Sequence, residues 1–411
     1  MKYDFDRITD RRNTGSMKWN VGEEELPMWV ADMDFQTAPE INKCLSERVA
    51  HGIYGYTEPD DRWYEAYRAW WRKRHGFEIK KEWLLFCTGV VPAISSIVRK
   101  MTTPAENVVV MTPVYNIFFN SILNNGRNVL ENRLILKDGN YEIDFEDLEK
   151  KLADPQTSML LLCNPHNPVG KIWDRETLGK IGELCRKHHV LVLSDEIHCD
   201  LTAPGMEYVP FASVSEKCRE NSITCVAPTK AFNLAGLQTA AVIVPNENIR
   251  HKVNRGLNTD EVAEPNVFAA IAPAAAFEKG EVWLDELREY LFDNRRYAEN
   301  FITDQIEGIR PVSADATYLL WLDCRGVLGD SSELCRFLRT HTGLVLSDGK
   351  EYRDGGGFLR MNLACPRVRL EDGLKRLSSG VRKYQEWKKF NDGRGDENCS
   401  MNFLFRQSPK T

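Results

Sequence analysis

Between residues 83 and 245 the chain alternates short apolar runs with amphipathic stretches. Trp83–Thr88, Val108–Met111, Met159–Cys163, Val190–Ser194, Ile223–Ala227 and Thr239–Val244 have the length and β-branched content of buried strands. Val91–Met101, Tyr115–Asn124, Asp144–Leu152 and Arg175–His188 carry the helical period between them. Such alternation predicts an α/β domain whose mostly parallel sheet is covered on both faces. In such domains ligands sit beyond the carboxyl ends of the strands, so the residues just after each run matter most.

From Glu281 to about residue 308 the period of Leu284, Leu287, Leu291 and Phe301 predicts a long helix, suited to connect two domains. Beyond it, strands are expected at Tyr318–Leu322, Leu344–Leu346 and Phe358–Asn362, with helices at Ser331–Thr342 and Arg367–Lys388. These suggest a smaller α+β domain completed by the N-terminal segment. The expected division is 1–45 joining the small domain, 46–285 as the large domain, 286–390 as the small domain, and a disordered tail over 391–411.

Composition narrows the function classes. The 411 residues carry a formal net charge of −6, which gives no basic footprint for nucleic acid or a membrane surface. Eleven scattered cysteines without a C-x-x-C pair argue against a disulfide framework or a zinc site, so no metal is expected. No apolar run reaches the roughly 18 residues of a membrane span. The polar N-terminus resembles neither a signal nor a transit peptide. A cytoplasmic protein is the expectation.

The candidate chemistry lies at strand ends. Lys230, in Ala227-Pro-Thr-Lys230, follows a buried strand beside the Thr229 hydroxyl; partial burial would lower its pKa and allow attack on an aldehyde. A surface loop lysine is the plainer reading. Asp195 closes the strand before Glu196-Ile-His198, where a buried carboxylate needs a cation such as a protonated pyridine nitrogen; a helix cap is the plainer reading. His198 is given no catalytic role. Cys163-Asn-Pro-His-Asn-Pro-Val-Gly170 holds its backbone with two prolines and can aim Asn164 and Asn167 into a site. Thr88-Gly-Val-Val-Pro92 opens a helix and could bind an anion through its amides. Tyr115 could stack on a planar ring or simply fill the core. Arg360, inside an apolar strand, needs an anion, either a substrate carboxylate or a structural acid.

In this order along the chain, these segments resemble the fold-type I pyridoxal-phosphate enzymes, the class I/II aminotransferases in particular. Pro27-Met-Trp-Val-Ala-Asp-Met-Asp-Phe35 and Arg360-Met-Asn-Leu-Ala-Cys-Pro366, with the Asn-Pro and Ser194-Asp-Glu-Ile-His198 stretches, are similar to the MalY/PatB branch of carbon–sulfur β-lyases, the cystathionine β-lyase and cystalysin type. The resemblance implies a three-layer aminotransferase-like fold, a homodimer, and pyridoxal 5'-phosphate as cofactor. It makes Lys230 the Schiff-base lysine and catalytic base, Asp195 the partner of the pyridine nitrogen, Asn167 a donor to the phenolate oxygen and Tyr115 the stacking ring. Val90 and Val91 amides and the Thr229 hydroxyl would hold the phosphate, with Tyr56 reaching it from the neighbouring subunit, and Arg360 would bind the substrate carboxylate.

Two positions depart from the pattern. Gln238 stands eight residues after Lys230, where aminotransferases usually carry Arg or Lys, and Asn116 stands where some β-lyases have a second tyrosine. The implied reaction is α,β-elimination from a cysteine S-conjugate. An aminotransferase, or a regulatory protein that uses the same fold, are the alternatives.

Overall fold

The computed structural model describes residues 2–327 and 329–392; the expected disordered tail lies almost wholly outside the described residues. Seven strands form the main sheet in the spatial order Leu84–Cys87, Ala240–Ile243, Ser222–Val226, Leu191–Asp195, Thr157–Cys163, Asn107–Thr112 and Asn128–Arg133. Only Ala240–Ile243 runs antiparallel to its neighbours; every other pairing is parallel. The central runs are apolar because neither face meets water: Val108–Val110 and Leu160–Leu162 are fully buried.

Helices Val90–Met101, Ile117–Leu123 and Glu247–Thr259 cover one face, packing Ile94, Ile97, Phe118 and Leu257 against it. The other face is covered by Arg175–Lys187 and Phe145–Leu152 at one end and by an aromatic-rich layer from Asp61–His75 and Val267–Lys279 at the other. The sheet thus makes the middle of three layers.

A second, antiparallel sheet orders Arg310–Pro311, Leu319–Asp323, Phe358–Asn362 and Ser347–Asp348. Helices Ser331–Thr342 and Arg367–Asp392 pack on it, and the 25-residue helix Glu281–Gln305 runs between the two sheets' cores. The strand expected over Leu344–Leu346 is divided. Leu344–Val345 pairs in parallel with Leu26–Pro27, while Ser347–Asp348 joins the small sheet. The N-terminal segment therefore forms a separate two-stranded sheet beside the small one, packing Leu26 and Met28 into its core, before Phe35 and Ala38 return the chain to the large core.

Candidate active site

A cavity of about 310 Å³ opens at the carboxyl ends of the main sheet's parallel strands. Each strand end delivers one wall: Thr88 and Gly89, Tyr115, Asn167, Asp195, and Thr229 with Lys230. The Asn-Pro loop carrying Asn167 closes on Gly170 at φ +70°, and a Cβ there would stand 2.5 Å from Ala314 Cβ. Only glycine lets this loop seat against the segment 314–316.

Asp195 is 5% exposed. Its Oδ1 accepts from Ile197 N at 3.1 Å, and among the described residues no Lys, Arg or His nitrogen pairs with it as a salt bridge. Burial pushes its carboxyl up to about 7. Lys230 Nζ donates to the Ala31 carbonyl at 2.6 Å. Burial, assisted by the Arg360 charge, pulls this amine down to about 8.

Arg360 is 5% exposed and faces no carboxylate within ion-pair distance among the described residues. Its Nη1 donates to Asn167 Oδ1 at 3.2 Å and its Nη2 to Trp29 O at 2.9 Å. The guanidinium also lies over the Tyr352 ring, 5.0 Å from its centroid, while its Nε has no partner. Because Asn167 Oδ1 faces Arg360, its NH₂ is left to donate elsewhere.

Helix Val90–Met101 starts with no side-chain cap, and the Val90 and Val91 amides that open it line the cavity near Thr229 and Gln238. Uncapped amides at the start of a 12-residue helix suit a phosphate. Tyr115 stands beside the cavity with its ring edge-on to Phe118; burial and the Asp195 charge raise its hydroxyl to about 12. A buried carboxyl lacking a cation, a poised amine, a free amide donor and an uncapped helix start together fit the pyridine nitrogen, aldehyde, phenolate and phosphate of pyridoxal 5'-phosphate.

Some expected residues lie elsewhere. Asn164 turns away, its Nδ2 donating to Val209 O at 3.0 Å, because the side chain is drawn to backbone behind the loop. Tyr56 is 104% exposed and forms no part of the cavity wall within this chain. His198, given no role from the sequence, does line the cavity. Burial and the charges of Lys230 and Arg360 pull its imidazole down to about 3, so it is neutral, and its Nδ1 has no partner.

The feature missed outright is a strap over Trp29–Met33. Consecutive carbonyls along it accept from distant side chains: Trp29 O from Arg360, Val30 O and Asp32 O both from Asn362 Nδ2 at 2.6 and 2.7 Å, Ala31 O from Lys230, and Met33 O from Asn233 and Arg11. Beneath it Asp34 is buried among Arg11, Lys18 and Arg369. Although burial opposes it, these cations hold the Asp34 carboxyl below the usual range. The signal for the strap was the resemblance of Pro27–Phe35 alone, since carbonyls carry no side-chain identity.

The family model for aminotransferase class I and II matches residues 28–377. Cystathionine beta-lyase PatB of Bacillus subtilis is 44% identical over 384 residues, covering 92% of this chain and 99% of that protein. The crystal structure of cystalysin from Treponema denticola, which contains a pyridoxal 5'-phosphate cofactor, superposes with a TM-score of 0.90 at 34% identity, covering 93% of this chain and all of that one. The PLP-bound C–S lyase from Staphylococcus hominis gives a TM-score of 0.86 at 31% identity, covering 93% of this chain and 98% of that one. The cavity, the strand-end residues around it and these likenesses together place the chain in the aminotransferase class I and II family.

Proposed function

We propose that this protein is a pyridoxal-phosphate-dependent carbon–sulfur β-lyase. It cleaves L-cystathionine, or a related cysteine S-conjugate or cystine, to a thiol, pyruvate and ammonia with the uptake of one water. One observation carries this reading: buried Asp195 and half-buried Lys230 line one cavity, buried Arg360 stands directly behind its Asn167 wall, and none has an opposite charge within ion-pair distance among the described residues. A fold leaves buried charges uncompensated at a cost, and a bound zwitterionic partner offsets it.

The cofactor, pyridoxal 5'-phosphate, supplies an electron sink that makes the substrate's Cα proton acidic. The chain does the rest. Arg360 takes the substrate carboxylate through its free donors and so orients Cα and Cβ. Lys230, neutral above about pH 8, removes the Cα proton. The sulfur then leaves from Cβ with the bonding electrons. Asp195 would keep its negative charge facing the cofactor's pyridine nitrogen, and Asn167 would have its NH₂ free to donate to the phenolate oxygen. Gln238 brings no positive charge to this end of the cavity, so the helix start at Val90 and Val91 and the Thr229 hydroxyl would hold the phosphate.

The substrate set, the assembly and the location belong to the same proposal. The protein acts as a homodimer in which the fully exposed Tyr56 reaches the neighbouring site. Residues 1–45 and 286–390 are assigned to one unit and 46–285 to the other; the pairing of Leu26–Pro27 with Leu344–Val345 supports this for that stretch, while Ala38 and Ile41 pack in the large unit's core. No described helix is long and apolar enough to cross a membrane. The ten cysteines among the described residues are all free, which suits the reducing cytoplasm.

Product analysis tests the reaction. Purified, cofactor-loaded protein is given L-cystathionine without and with 2-oxoglutarate. Pyruvate, ammonia and a thiol are expected without the keto acid. Glutamate formed only with the keto acid would assign an aminotransferase instead. Lys230→Ala should lose both turnover and the visible absorbance, and retained turnover would refute the assignment of the base.

A further inference from the structure

Two donors converge on one oxygen of the strap. Lys230 Nζ reaches the Ala31 carbonyl at 2.6 Å, and the Tyr318 hydroxyl donates to the same oxygen at 3.0 Å. Tyr318 immediately precedes strand Leu319–Asp323 and is 1% exposed. Its ring stands edge-on to His198, with centroids 6.4 Å apart. The Ala31 carbonyl cannot drift freely, since Asn362 grips the carbonyls on either side of it.

A carbonyl oxygen has two lone pairs. With the Tyr318 hydroxyl on one, the oxygen stays in place and offers only the other to Lys230. A donor already on the oxygen also draws electron density from it and weakens its hold on an ammonium. Removing that donor would leave both lone pairs and the undiminished charge of the held oxygen to Nζ, which favours the charged amine.

We propose that Tyr318 is a positioning residue for the catalytic amine, acting through the Ala31 carbonyl to fix where Lys230 rests and to limit how strongly that carbonyl retains its proton. The inference rests on the assignment of Lys230 as the base. The other titratable and charged groups that face Lys230 are Asp32 on the strap, Asp195 at its strand end, Arg360 on Phe358–Asn362, and the neutral His198. All remain in Tyr318→Phe, which removes one oxygen and keeps the ring.

The test uses the pH dependence with which cofactor-free protein captures pyridoxal phosphate, followed by the growth of visible absorbance. Attack on the aldehyde needs the neutral amine, so the midpoint of the rate reports the titration of Lys230. Tyr318→Phe should move that midpoint upward by about half a unit or more. In the loaded enzyme, its kcat should fall about two- to ten-fold, with KM changed less than about twofold. A midpoint identical to wild type overturns the role of Tyr318, because a merely packed ring would leave it unmoved. Lys230→Ala run alongside should show no absorbance. Normal capture by that variant would instead overturn the reading of Lys230, and this inference with it.

Discussion

Asp195 ends a buried strand with one amide donor and, among the described residues, no ion-paired cation, and that setting makes its stability contribution depend on pH. In the folded chain its carboxyl titrates at about 7, above the ordinary aspartate value near 3.9 that the unfolded chain would show. The proton-holding form is therefore the favoured one. Its contribution is full below about pH 4 and is lost as pH rises through 7. Asparagine cannot ionise. Cofactor-free Asp195→Asn should thus melt above cofactor-free wild type at pH 8, by a ceiling of about 4 kcal/mol, with the gap narrowing toward pH 5. The same variant should hold pyridoxal phosphate more weakly, because the pyridine nitrogen loses its anion. Equal melting at both pH values would show that Asp195 is not strained by burial. Lys230, Asp195 and Asn167 were legible in the sequence because each directly follows a buried apolar run. His198 was not: a histidine three residues past the strand could point either way, and only the packing sends it into the cavity.

The strap shows what one element can require of another. Asn362 sits 1% exposed in the small sheet and closes three hydrogen bonds, to the Val30 and Asp32 carbonyls and from the Ala364 amide. Asn362→Ala would leave the buried Ala364 amide without this partner, at about 1–3 kcal/mol if water does not replace it, and would remove one donor each from the half-buried Val30 and Asp32 carbonyls, which keep Asp32 N and Lys18 Nζ. The expected result is a lower denaturant midpoint and a larger loss in kcat/KM than in cofactor absorbance, since Lys230 stays but the Ala31 carbonyl moves. An unchanged midpoint would show that the strap stands without it. Most main-sheet strands were readable from continuous apolar runs. Asn128–Arg133 was not, because an edge strand with exposed and half-buried positions lacks such a run. Helix Asp61–His75 also went unread, although Trp63, Tyr67, Trp70 and Trp71 recur at helical spacing among its many charges.

At the scale of the whole molecule, Tyr56 is fully exposed and, among the described residues, lies outside the cavity wall of its own chain. If a second copy supplies it, two defective chains should repair each other. Tyr56→Ala keeps Lys230, and Lys230→Ala keeps Tyr56, so a mixed dimer contains one complete site. Activity after unfolding and refolding the two together should exceed that of either alone, and a simple average would rule out a shared site. Within one chain the site already joins residues far apart in the order of synthesis. The strap leaves the ribosome some 330 positions ahead of the asparagine that grips it. Lys230 can emerge and the strands around it can pair while the wall it leans on is still unanchored. Completion of the substrate pocket is thus a late event in the life of the nascent chain, and an error near residue 360 would yield a protein with a sound main sheet and a site that never closes.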